Sequence, residues 1–216
     1  MASTRPIQPR TRLQWEQKKI YREKLVAAAD ALFCRRSYGA VSVDDIAKRA
    51  RVSRATFYRH FTGKLDVFAA LTDRFVVRLQ PAQDVFGTAQ HVDTEIFMAW
   101  IGLNLDLFRK NAALVGAIRE AAAAEPVFFR DHAAAHIDHE VERLGQVLPA
   151  FRRAGSHAPA ERMVRMQAHY LIRALQTFCY DVAVTGWGEG VEAGTLLLAR
   201  QFMAFVEEHG EALQSA

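Results

Sequence analysis

Apolar residues recur along this chain at spacings of three and four. Nowhere do they alternate with polar residues between turn signals, so the pattern predicts helices and no half-buried strand. Prolines stand only at positions 6, 9, 81, 126, 149 and 159, which leaves 10–80 free to be helical. Tyr21, Leu25, Ala28 and Leu32 share one face of a first helix over about 14–36, broken at Ser37, Tyr38 and Gly39. A second helix, 43–50, has Ser42 at its N-cap and Asp44 and Asp45 in its first turn, where the positive end of the helix dipole favours them. Ser53 caps a third over about 54–60, burying Phe57 and Phe61, and a fourth runs from 64 to about 79 on the stripe Leu65, Phe68, Leu71 and Phe75. The remainder predicts helices near 93–109, 111–123, 127–150, 160–184 and 191–208, giving an all-α fold of nine helices.

The eighth and ninth predicted helices, 160–184 and 191–208, are apolar on more than one side. Met163, Met166, Tyr170, Leu171, Leu175, Phe178 and Val182 mark the former, and Val191, Leu196, Leu197, Leu198, Phe202, Met203, Phe205 and Val206 the latter. A helix of that kind must be covered on most sides. A second copy of the chain covers such an outer pair by a two-fold contact, so a homodimer through helices 8 and 9 is expected.

Charge separates the chain into two parts. Residues 1–74 carry 16 Lys or Arg against 7 Asp or Glu, whereas 75–216 carry 12 against 17, so a formal +4 divides into +9 and −5. A basic front joined to an acidic remainder fits one part that meets a polyanion and another with a different task. The longest stretch without a charge, Ile96–Leu105, is half of what a bilayer-crossing helix needs, so no membrane partner is expected. The first 20 residues hold five cations and no long apolar run, unlike a secretory signal, and a cytoplasmic location is expected. Cys34 and Cys179, far apart in sequence, form neither a disulfide framework nor a metal motif and are expected as packed, reduced thiols.

The second and third helices are joined by about three residues, the connection of a helix-turn-helix whose second helix enters a DNA major groove. With Phe57 and Phe61 inward, Arg54, Ala55, Thr56, Tyr58, Arg59 and His60 face away from the core. These types suit DNA: guanidinium for guanine or phosphate, hydroxyls for phosphate or base edges, small apolar groups for the thymine methyl. Lys64 at the start of the fourth helix can join the free backbone N–H groups there on a phosphate. Ser42 and Ser53 at the two helix starts and Arg51 in the turn complete the candidate DNA-contacting set.

The runs LVAAADALF, VSVDDIAKRARVSRATFYRHF and GKLDVFAAL, within 25–71, resemble the TetR family of transcriptional regulators. The resemblance implies a three-helix DNA-binding head whose third helix is the recognition helix, followed by a divergent body for ligand binding and dimerisation. It places Thr56 and its neighbours near bases, Tyr58, His60 and Lys64 on phosphates, and Phe57 and Phe61 in the core. Three positions depart from the family pattern: Ser37 for glycine, Val41 for threonine, and Arg51 for the glycine of the turn. If Arg51 keeps a left-handed backbone, the strain is about 1 kcal/mol. The expected organisation is a flexible basic arm over 1–13, a helix-turn-helix domain over 14–63 and a helical effector-binding and dimerisation domain over 64–216.

Signatures of catalysis are lacking: no Gly-rich phosphate loop, no GxSxG, and a His139–Glu140 pair whose HExxH partner position is Arg143. No enzyme and no cofactor are expected. His132, His136 and His139 share one helix face, a spacing that suits a transition metal. The apolar stripe of that helix lies well over 100° away, however, so the histidines are assigned to solvent or a pocket edge and no metal is expected. Phe97, Trp100, Asn104, Phe108, Arg119, Glu120, His136, Tyr170 and Phe178 are the candidate lining of an effector pocket, in keeping with the aromatic surplus of the body. The expected function is a dimeric regulator of a palindromic double-stranded DNA operator, a repressor released by a small apolar or aromatic effector. The alternative is a DNA-binding or architectural protein whose body serves only assembly.

Overall fold

A computed structural model describes residues 10–79, 82, 84–88, 91–188 and 190–210. Every regular element among them is helical, and none is long and apolar enough to cross a membrane. The chain forms two compact units, the first ending at Arg74 and the second beginning at Phe75.

The first unit holds α1 (Arg10–Phe33), α2 (Val43–Ala50), α3 (Arg54–Tyr58) and most of α4 (Lys64–Leu79). Helix α1 begins at Arg10 rather than at 14, because the proline-free run lets it extend toward Pro9; residues 10–13 of the expected arm are therefore helical, and 1–9 lie outside the described residues. Its inward stripe Leu25, Ala29 and Phe33 is almost fully buried, as are Ile46, Phe57, Phe61 and Phe68 of the same unit. Phe33, Tyr38 and Phe68 form an aromatic triangle with ring separations of 4.7–5.8 Å that fixes the turn after α1. Cys34, expected to be packed, is exposed, since Phe33 takes the inward position at the end of α1.

The second unit comprises α5 (Asp84–Thr88), α6 (Thr94–Lys110), α7 (Ala112–Ala124), α8 (Pro126–Leu144), α9 (Pro149–Ala154), α10 (Arg162–Tyr180) and α11 (Val191–Gly210). Its centre is an aromatic nest in which Phe97 and Trp100 of α6 meet Phe202 of α11 at 5.6 and 5.1 Å. Phe86 closes one side, 5.2 Å from Phe97 and 5.7 Å from Trp100, and Phe151 of α9 stacks on Phe202 at 6.2 Å.

Three sequence expectations are corrected here. The stretch expected as a break around 81–87 contains α5, drawn in by Phe86, which is buried against the nest. The helix expected over 127–150 is two helices. Leu148 precedes Pro149 and is held extended (φ −118°, ψ 112°), which ends the helical path, and Pro149 then starts α9. The bend brings α9 back so closely that a Cβ on Gly145 would lie 2.9 Å from the Arg152 backbone. The span 160–184 likewise divides into a 3₁₀ turn (Pro159–Glu161), α10 and a wider π turn (Asp181–Thr185) closed by Gly186 at φ 77°.

Candidate nucleic-acid interface

The local chemistry of the helix-turn-helix explains its shape. Ser42 Oγ accepts the Asp45 N–H at 3.1 Å while the Asp45 carboxylate accepts the Ser42 N–H at 2.9 Å, a reciprocal capping box that starts α2. The Ser42 hydroxyl, donating to Asp45 Oδ2 at 2.7 Å, and then the Ser42 N–H hold the Asp45 carboxyl down at about 2, with Arg36 a smaller contributor. Arg51 ends α2 in the left-handed conformation (φ 56°, ψ 44°), alone among the described non-glycine residues in having positive φ. Its N–H bonds to the Lys48 carbonyl at 3.1 Å, as the residue after a helix commonly does. Ser53 then caps α3 by accepting the Thr56 N–H at 3.0 Å.

On α3 the inward and outward sets are cleanly separated. Phe57 is fully buried and Phe61, just beyond the helix, nearly so, whereas Arg54, Ala55, Tyr58 and Arg59 are exposed and Thr56 is half-buried. Arg54 Nη1 donates to both carboxylate oxygens of Asp44, and its guanidinium lies 5.5 Å from the Tyr58 ring. Thr56 Oγ1 lies 3.0 Å from Ser53 Oγ. The side chains of Ser42 and Ser53 are thus engaged in capping, and Arg54 is oriented by an acid that sequence reasoning had credited only with a helix-dipole role.

His60 and Lys64 are placed less openly than the sequence suggested. The ring nitrogens of His60 are buried without a hydrogen-bond partner, under Tyr21 at 6.2 Å, while Arg22 donates to the His60 carbonyl at 3.1 Å. Burial pushes this imidazole below its ordinary value, assisted by the charges of Arg59, Lys18 and Arg22. Lys64 Nζ donates to the Tyr38 carbonyl at 2.8 Å and sits 4.0 Å from that ring's centroid. At the same helix start, Asp66 accepts the Thr62 N–H at 2.8 Å, which sets a carboxylate beside the cradle expected there for a phosphate. Arg22 was missed; it lies on α1, three positions before the core residue Leu25, and projects over the Phe61 ring at 4.3 Å.

This geometry coincides with a family match. Residues 25–71 match the N-terminal domain model described as bacterial regulatory proteins, tetR family. Over these residues the chain is similar to the tetR family. The chain is 41% identical over 58 residues to the HTH-type transcriptional activator FasR of Mycolicibacterium smegmatis; the match spans 27% of the chain and 26% of that relative's length. Its fold is similar to a tetR-family transcriptional regulator from Streptomyces coelicolor (TM-score 0.61, 21% identity, 87% of this chain and 80% of that one). It is also similar to the TetR family repressor AlkX from Dietzia sp. (TM-score 0.57, 16% identity, 88% and 97%).

In the second unit, the candidate effector residues are dispersed. Phe97 and Trp100 meet in the aromatic nest, and Asn104, also buried, donates to the Trp100 carbonyl at 2.8 Å. Phe108 packs on Phe75 at 5.3 Å, and Phe178 on Trp187 at 5.9 Å. Arg119 is exposed and lies 4.5 Å over the Tyr180 ring, and Glu120 is exposed. His136 lies beside His132, and Tyr170, 71% exposed, lines a surface groove of about 710 Å³ with Met163, Met166, Leu171, Ala204 and Phe205.

Proposed function

We propose that this chain is a dimeric, sequence-specific DNA-binding regulator of the TetR family that sets α3 in the major groove of each half of a palindromic operator. The observation that carries the reading is α3 itself: two buried phenylalanines fix its inner face while Arg54, Ala55, Tyr58 and Arg59 remain exposed on its outer one. Thr56 and Ala55 are assigned to base edges, and Arg51, Tyr58, Arg59 and Lys64 to phosphates. Ser42 and Ser53 contribute through the caps that present the backbone, and His60 through its packing under Tyr21. Lys64 must exchange the Tyr38 carbonyl for a phosphate oxygen. Dimerisation uses the groove face of α10 and α11, where Met163, Met166 and Tyr170 are exposed together.

We further propose that a small apolar effector releases the protein from DNA, which makes it a repressor. Trp100 supports this: its indole N–H is buried without a hydrogen-bond partner, a situation that costs about 1 to 3 kcal/mol and that an effector oxygen would relieve. Helix α4 is covalently continuous across the boundary at Arg74, and a coupling of about 1 to 3 kcal/mol through it would lower operator affinity some 5- to 150-fold. The close packing of Phe97 and Trp100 against Phe86 and Phe202 favours a second reading, in which the body serves assembly alone.

Selection from a random duplex library tests the DNA reading: an inverted repeat should be recovered. Apolar compounds that raise the melting temperature are then titrated into the operator complex. Release of DNA by those compounds, weakened in Trp100→Phe, supports the effector reading; stabilisation without release leaves the assembly reading.

A further inference from the structure

The three histidines of α8 part company in the fold. His139 is exposed, whereas His132 and His136, one helical turn apart, are half-buried with their Nε2 atoms 3.0 Å from each other and their rings nearly perpendicular at 85°. Phe128 lies almost parallel to the His132 ring at 5.3 Å and Phe129 meets it edge-on at 6.4 Å, so an aromatic wall restricts how that ring can turn.

This separation is that of an Nε2–H of one imidazole donating to the Nε2 lone pair of the other. The same separation belongs to two neighbouring ligands of a metal ion. Metal–nitrogen bonds of about 2.0 to 2.1 Å place two nitrogens about 2.9 Å apart at a right angle and about 3.3 to 3.4 Å apart at a tetrahedral one. The observed 3.0 Å fits the square or octahedral arrangement directly and the tetrahedral one after a few tenths of an ångström of opening.

We propose that His132 and His136 chelate a divalent first-row transition-metal ion through their two Nε2 atoms. The donor ring moves its proton from Nε2 to Nδ1 through solvent, so both lone pairs become available and no net proton is lost. Imidazole donors select nickel, copper or zinc over magnesium or calcium, and water completes the coordination. The rigid helix between the two residues holds both donors in place before the ion arrives. This site stands apart from the DNA and effector readings and does not depend on either.

The test is calorimetric titration of the full chain, without an affinity tag, with nickel chloride, zinc chloride and magnesium chloride. Nickel and zinc should each bind at one ion per chain, and magnesium should not bind. His132→Gln and His136→Gln, each checked for an intact fold by circular dichroism, should weaken nickel binding at least tenfold, while His139→Gln and His157→Gln should leave it unchanged. In the unaltered protein, proton NMR should show the ring signals of His132 and His136 shifting together on substoichiometric zinc. Binding that survives His136→Gln, zinc shifts confined to other histidines, or no stoichiometric binding of either ion would overturn the proposal.

Discussion

Arg54 and Asp44, ten positions apart on the two helices of the helix-turn-helix, are paired through one guanidinium nitrogen that reaches both carboxylate oxygens at 2.9 and 2.8 Å. Both side chains are more than 60% exposed, so the pair adds about 0.2 to 1 kcal/mol to stability; in the proposed DNA complex its larger effect is to hold a cation of α3 away from DNA. Asp44→Asn should therefore change stability by less than about 1 kcal/mol and raise affinity for every duplex. It should steepen the salt dependence by at most about one ion equivalent. Chemical denaturation and anisotropy titrations at several salt concentrations check the two halves separately.

Arg51 provides a second, opposite test. Its left-handed backbone is one that glycine adopts without strain, so Arg51→Gly should stabilise the chain by up to about 1 kcal/mol, read as a higher urea midpoint at unchanged slope. The same substitution removes a cation from the turn and should weaken DNA binding at low salt. A destabilised Arg51→Gly protein would mean that the arginine makes a compensating contact in solution.

His60 gives the head a dependence on pH. Its folded value lies below the ordinary 6.5, so the unfolded chain binds the extra proton first. Stability from this residue is complete above about 6.5 and falls as the pH drops through the folded value, because the buried ring must then be charged. His60→Gln should flatten the denaturation midpoint between pH 7 and 5 relative to the unaltered protein. Asp45 acts in a separate, lower window: its contribution persists above its ordinary 3.8 and disappears as the pH falls toward about 2.

The groove face of α10 and α11 tests assembly. Met166→Glu combined with Tyr170→Glu introduces two like charges into a face that a second copy would bring against itself, while both positions are exposed in the single chain. Sedimentation should change from a dimer of the 24.3 kDa chain to a monomer, with the melting temperature of each unit's core little altered.

How much of this was legible in the sequence varied with the kind of signal. The caps at Ser42 and Ser53, the buried pair Phe57 and Phe61 and the strained Arg51 follow from local rules that act within a few residues, and the structure displays each of them. What escaped depended on contacts between distant residues. The capture of Lys64 by Tyr38, 26 positions away, and the folding of Phe86 into the nest are invisible to periodicity. The break at Leu148 was legible in principle, since Pro149 restricts its neighbour, but the apolar stripe across it read as continuous. The candidate effector residues were chosen for aromaticity, and aromatic side chains at helical spacing build cores as readily as pockets; Phe97, Trp100, Phe108 and Phe178 are buried.

Sequence-specific reading by α3 is the central claim, and comparative equilibrium binding tests it most directly. The full chain is titrated into a selected inverted-repeat duplex and into a scrambled duplex of the same composition at about 150 mM salt. The selected site should bind at least 10³-fold more tightly. Thr56→Ala should reorder the preference among single-base operator variants, whereas Lys64→Ala should weaken both duplexes alike and lower the salt slope by about one. Equal affinity for the two duplexes, with Thr56→Ala indistinguishable from the unaltered protein on every variant, would contradict the account.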